Sequence, residues 1–225
     1  MGNKNKSKEK VILVFTENKT GKMGVTKHIP ITIKKEKYVL YPVNFPVMYL
    51  SLTEMSLKSV INTKEENLEK LKFDINLLGS QHKNVFHYSN LILSSISVFI
   101  VNAAICLEAY SNIFVDKDSE VKIEDKIFNW ADIQRKLSVM TKLDELVNTK
   151  TRLNFKKSYP NEWNQIDNLI KLRNNIVHTK VELNNGSIFK YKKLINSMLN
   201  FDCELTFIAL KSLIKFYTPN LLMET

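Results

Sequence analysis

Hydrophobic positions along this chain change rhythm near residue 48. Before that point they come in short runs. Val11 to Phe15 is apolar throughout, and Asn18 to Gly24 is rich in turn formers. Val25 to Ile33 alternates, and Tyr38 to Tyr41 is again apolar and β-prone. This pattern predicts a small hairpin or a three-stranded piece. Pro30 has no N–H to donate, which makes the middle strand an edge at best. Pro42 and Pro46 close the segment.

From Met48 onward the spacing is helical. Met55, Leu57, Val60, Ile61, Leu68, Leu71 and Ile75 recur among lysines and glutamates, so Ser51 to Leu78 predicts an amphipathic helix, with a break near Asn62 and an end at Gly79. A long helix is expected from Lys83 to Phe114, then a polar link from Asp116 to Asp125 and a helix from Ala131 to Asn148. Pro160 precedes another, Asn161 to Leu183, closed by Asn184, Asn185 and Gly186. A last helix runs from Ile188 to Phe216, stopped by Pro219. The expected fold is therefore mainly α with a small N-terminal β segment. Its organisation reads as a basic tail over 1–10, a β-rich segment over 11–46 and a helical domain over 47–225.

Composition agrees with a folded helical chain. Of 225 residues 44% are hydrophobic and 25% charged, and only 5 Gly and 5 Pro are available for turns. Charge adds a second point. The net charge is +10, almost all of it from lysine, since Arg135, Arg152 and Arg173 are the only arginines. Such an excess suits RNA, DNA or an acidic membrane face, and equally a solvated lysine surface. Cys106 and Cys203 stand alone in apolar helical contexts, as reduced buried thiols of a cytoplasmic protein do. The first ten residues lack the apolar run of a signal peptide. Leu91 to Leu107 is the most apolar stretch, but Ser94, Ser95, Ser97 and Asn102 interrupt it, which favours a buried central helix over a membrane span.

Two helices carry polar residues where apolar ones are expected. Around the helix after Pro160, Trp163, Ile166, Leu169, Ile170, Ile176 and Val177 form one stripe, and Arg173 falls near its middle. A charge there needs a partner or a wet cleft. His178 follows Asn174 by one turn. On the long central helix, Ser94, Ser97, Glu108 and Asn112 form a polar seam, and Glu108 is a natural counter-ion for Arg173. These residues read either as a buried ion pair that fixes helix register, with His178 satisfied near a helix end, or as a chemical site.

The segment Leu172-Arg173-Asn174-Asn175-Ile176-Val177-His178 resembles the signature of HEPN-fold proteins, which is an Arg, then a polar residue, then a His, with four to six residues between the Arg and the His. Here the spacing is Arg-x4-His, and Asn174 is the polar residue. Glu108 and Asn112 on the earlier helix are similar to the family's polar position there. The resemblance covers roughly residues 80–216. It implies a helical bundle that pairs into a homodimer, with the Arg-His helices of two copies meeting in one cleft. It further implies a metal-independent endoribonuclease, without cofactor, of the kind found in toxin–antitoxin pairs and antiviral defence. An antitoxin or other regulatory protein is then an expected partner.

On that reading His178 moves a proton, being the side chain type whose ordinary titration falls near neutrality. Arg173 stabilises the charge gathering on phosphorus. Asn174 orients the phosphate or His178, Glu108 holds Arg173, and Asn112 supports the network. Lys156, Lys157, Lys190, Lys192 and Lys193 are candidate contacts to the RNA backbone, with Lys34, Lys35 and Lys37 beside them. The rival reading is a non-catalytic helical module that binds RNA or a protein partner. A metal enzyme is not expected, because His28, His82, His87 and the two cysteines lack ligand spacing. Neither a nucleophile turn nor a phosphate loop is visible.

Overall fold

A computed structural model describes residues 12–17, 23–40, 43–72, 82–178 and 185–222. The chain divides into two compact units, Met1–Asn44 and Phe45–Thr225. The expected basic tail over 1–10 and the helix end at Gly79 lie outside the described residues.

In the first unit, β1 (Ile12–Glu17), β2 (Met23–Ile33) and β3 (Glu36–Leu40) form an antiparallel sheet in that order. β2 is central rather than an edge, and the register shows how it tolerates proline. β1 pairs with β2 only over Met23 to His28, whereas Pro30 sits opposite Val39 of β3. At Pro30 the strand has a neighbour on one side only, so a missing N–H breaks no ladder to β1. Lys34 and Lys35 form the two-residue turn into β3, both at positive φ (49° and 73°). That turn is the kind Asn-Gly ordinarily fills.

The second unit is a helical bundle. α1 (Phe45–Asn67) runs without a break at Asn62 and gives way to a 3-10 turn, Glu69–Leu71. α2 (His82–Asn112) is the central helix, with Ile92, Ile96, Phe99, Ile100, Ala103 and Leu107 all buried. Each of the Ile, Leu and Phe side chains contributes roughly 1.5–3 kcal/mol by leaving water. α1 and α2 run antiparallel: Ser56 faces Asn102 at 3.4 Å, and the Cys106 thiol faces the Pro46 carbonyl at 3.5 Å. Among the described residues one helix, Asn84–Asn112, is long and apolar enough to cross a membrane by length and composition.

The expected polar link is a hairpin, β4 (Glu120–Ile123) with β5 (Lys126–Asn129), turned at Glu124 with φ 53°. Its Val121 packs with Ile133 and Leu146 in a small satellite core. The single helix expected over 131–148 is interrupted. α3 (Trp130–Lys136) ends at Leu137. The chain resumes as α4 (Val139–Thr141), widens into a π-helical turn over Lys142–Val147, and continues as α5 (Asn148–Thr151). The Ser138 hydroxyl accepts the Thr141 N–H at 3.1 Å and so starts the second segment.

A short α6 (Phe155–Ser158) leads into α7 (Pro160–His178). The expected last helix is also two, α8 (Asn185–Leu199) and α9 (Cys203–Tyr217), because the Asp202 carboxylate caps a new start by accepting the Leu205 N–H at 2.8 Å. Asn185 and Gly186 open α8 rather than close α7. α7 packs on α2 and α9 through Trp163, Ile166, Leu169 and Leu172. Leu172 replaces Val177 on that face, since Val177 is 51% exposed.

Burial silences both cysteines. It pushes the Cys106 thiol up to about 12 and the Cys203 thiol up to about 11, although Lys64 draws the latter down a little. The thiolate is the reactive form. A maleimide or a disulfide reagent at neutral pH is therefore expected to label the native protein far more slowly than the urea-unfolded chain. Native labelling at the unfolded rate would contradict this burial.

Candidate functional site

α7 enters the bundle with its buried side fixed by tryptophan and branched residues, which aims the neighbouring positions. Arg173 lies about 100° round the axis from the buried Leu172 and is half-buried. It opens onto a small cavity of about 190 Å³. Ala104, Ile105 and Glu108 of α2 form one wall, and Leu137, Ser138 and Val139 at the start of α4 form another. Ile170, Arg173 and Asn174 of α7 complete it. Five of the lining residues are apolar, and the polar groups that meet in the cavity are a guanidinium, a carboxylate, an amide and a hydroxyl.

Three of the residues singled out by sequence thus converge: Arg173, Asn174 and Glu108. Their contacts differ from expectation. No ion pair within 4 Å joins Glu108 to Arg173 among the described residues, so Glu108 is not the buried counter-ion of the guanidinium. Arg173 instead donates from Nη1 to Oδ1 of Asn174 at 3.1 Å. Glu108 is exposed at the cavity wall. Among the described residues the other guanidinium donors have no partner, and Arg173 and the Glu108 carboxylate line the same cavity.

His178 is the last residue of α7. It is exposed, one turn beyond Asn174, and it does not line the cavity. The polar seam of α2 is split in a similar way. Asn112 accepts a hydrogen bond at 2.9 Å from Nζ of Lys142, away from Arg173.

Lys142 is the residue that sequence reasoning missed. It opens the π-helical turn, is only 1% exposed, and also donates to the Gln134 carbonyl at 3.3 Å. Burial holds its ammonium below the ordinary lysine range, and the negative charge of Glu108 partly offsets that. A signal was present in the sequence: Lys142 precedes Leu146 by one turn and so shares its inward side.

The depressed value predicts a pH dependence. Just below pH 10.5 the unfolded chain binds more protons at this position than the folded one, so the lysine's contribution favours folding more as pH rises through that window. In Lys142→Met that slope is absent. Urea melts at pH 7, 8.5 and 10 should show wild type gaining on the variant as pH rises. Parallel stability curves would contradict the burial of the ammonium.

The candidate RNA-contacting lysines fall into different situations. Lys156 is engaged already. Its Nζ pairs with Oδ2 of Asp144 at 2.7 Å and lies over the Trp163 ring at 5.6 Å. Lys157 of α6 is exposed, as are Lys190, Lys192 and Lys193 of α8. In the first unit Lys34, Lys35 and Lys37 are exposed at the β2–β3 turn. Among the described residues no three His, Cys, Asp or Glu side chains cluster as a metal site requires. No family model, curated protein or solved structure matches this chain.

Proposed function

We propose that this chain is an endoribonuclease of the HEPN type, which cuts RNA by internal transesterification. The observation that carries the reading is the meeting of Arg173, Asn174 and Glu108 in one cavity, with His178 one turn further along the same helix. The ribose 2′-OH attacks the adjacent phosphorus and loses its proton. The bond from phosphorus to the 5′ oxygen breaks, and that oxygen takes up a proton. The products are a 2′,3′-cyclic phosphate and a 5′-hydroxyl. Arg173 faces the non-bridging oxygens, where its planar donors stabilise the charge that builds up. Asn174 holds the guanidinium in place through the 3.1 Å bond. His178 moves the proton.

One histidine does not serve readily as base and acid in a single step. A second copy of the chain would supply the other, and the exposed end of α7 leaves His178 free to reach it. The biological setting that goes with this reading is a toxin or an antiviral effector in the cytoplasm, held in check by a regulatory partner.

A second reading is favoured by one observation: His178 stands outside the cavity that holds Arg173. A helical module that binds RNA or protein without cutting would need no histidine there. Incubating the purified chain with RNA and with DNA, in chelator, separates the two. Cleavage of RNA alone, with cyclic phosphate ends, supports the nuclease. Binding without cleavage supports the module. Cleavage that requires added metal ends the proposed mechanism.

A further inference from the structure

The side of α7 turned away from Arg173 lines a second and larger cleft, of about 410 Å³. Going round the helix, Asn168 and Asn175 lie about 40° and 60° to one side of the buried Leu172, and Arg173 about 100° to the other. Gln165 and Asn168 of α7 form one wall. Ser197, Asn200, Phe201 and Asp202, where α8 gives way to α9, form the other. The volume is that of a small-molecule site. Its lining is unlike most such sites in being largely amide, hydroxyl and carboxylate.

Hydrogen bonds within the protein use up donors there and leave acceptors. Gln165 donates from Nε2 to the Asp202 carbonyl at 3.1 Å and to the Thr206 hydroxyl at 2.8 Å, so only its carbonyl oxygen remains. Asn200 gives one Nδ2 hydrogen to the Asn196 carbonyl at 2.8 Å, and Ser197 gives its hydroxyl hydrogen to the Lys193 carbonyl at 2.9 Å. Asp202 spends Oδ1 on the Leu205 N–H, and among the described residues its Oδ2 has no partner. The lysine that lines the cleft, Lys171, is paired with Asp167. A ligand must therefore arrive with donors.

We infer that this cleft takes a guanine base of single-stranded RNA. Guanine is the base whose pairing edge offers two donors side by side, N1–H and the N2 amino group. A carboxylate accepts both, and its charge strengthens such bonds. Uracil, cytosine and adenine each present a single donor group on that edge beside acceptors, which the Asp202 carboxylate repels. Phe201 is half-buried and gives the ring a surface to stack on. Backbone charge points the same way. Ser197 also lines a groove with Lys192 and Lys193, both exposed, so phosphates next to the base find lysines. An arginine side chain presents donors too, but a chain of +10 repels a basic partner.

Asn174 lines the Arg173 cavity and Asn175 lines this cleft, and both are exposed. A strand crossing α7 at these two residues would set a base in the cleft and a phosphate beside the guanidinium. The inference deepens the nuclease reading by giving it a base preference. It rests on RNA being the ligand and not on cleavage, so its test uses RNA that cannot be cut.

Fluorescence anisotropy of the full chain with labelled 2′-O-methyl oligouridine, carrying one central guanine, adenine or cytosine, makes that test. The guanine strand should bind at least about tenfold more tightly than the others. Asp202→Asn keeps the helix cap, since Asn caps as well, and should abolish the preference without moving the melting temperature. Lys193→Gln should instead weaken every strand alike. Equal binding of all strands would overturn the inference, even if free GMP bound. So would a guanine preference that Asp202→Asn leaves intact, or displacement of the strand by argininamide more readily than by GMP. Cleavage of ordinary RNA by a chain that shows no guanine preference would overturn this inference and leave the nuclease reading standing.

Discussion

Arg173→Ala is expected to lower the rate of RNA cleavage by at least about a hundredfold, and His178→Ala by a similar or larger factor. Removing one fixed donor from a developing oxyanion typically loses that much, and so does removing a positioned proton carrier. Single-turnover cleavage of a labelled RNA measures both. The two variants should also differ in kind. Arg173→Lys keeps the charge and loses the fork, so it should recover only part of the rate. Because His178 is exposed and Arg173 only half-buried, neither change should move the melting temperature by more than a degree or two. Full activity in His178→Ala would remove the imidazole from the chemistry and leave the binding module as the better reading.

The largest effect on stability is expected from Phe155→Ala. Phe155 is fully buried where α6 leads into α7. Its ring lies 5.1 Å from that of Tyr159, 5.5 Å from Phe216 and 6.3 Å from Tyr217. Its backbone N–H donates to the Tyr217 hydroxyl at 3.0 Å. Truncating a phenylalanine in such a setting costs about 3–5 kcal/mol, from lost transfer energy and from the cavity left behind. In a chain of this size that corresponds to a drop of roughly 10 °C in melting temperature. A scanning melt of wild type and variant tests it. A shift of only a degree or two would mean that the aromatic cluster does not hold α7 to α9.

What the sequence made legible followed from periodicity sustained over many residues. α2 was readable as a central helix because Ile92, Ile96, Phe99, Ala103 and Leu107 keep apolar side chains on the inner side for about four turns. α7 was readable from Trp163, Ile166 and Leu169, and the place of Arg173 beside them followed. Interruptions without Gly or Pro were harder to see. The starts of α4 and α9 are made by single side-chain caps, Ser138 and Asp202, inside stretches whose apolar spacing does not falter. The β4–β5 hairpin turns at Glu124 in a left-handed conformation that glycine usually takes, so no turn residue announced it.

At the site, the side of α7 that carries Arg173 could be read, whereas its partner could not. Glu108 and Arg173 line the same cavity, but the group actually buried against the α2 seam is Lys142. Which cation of several meets a given helix depends on the bend at Leu137 and Ser138, a three-dimensional fact with no periodic trace. The misplacement of Val177 has a local cause. Ile176 still packs against the core, whereas Val177, about 100° further round the helix, is turned outward.

The bond from Phe155 to Tyr217, with α7 resting on α9, also sets an order of events during synthesis. Residues 155–178 meet one of their two neighbours, α2, as soon as they are made, whereas the other, α9, follows them in the chain. The seat of α7 is therefore completed in two stages, first against α2 and then against α9.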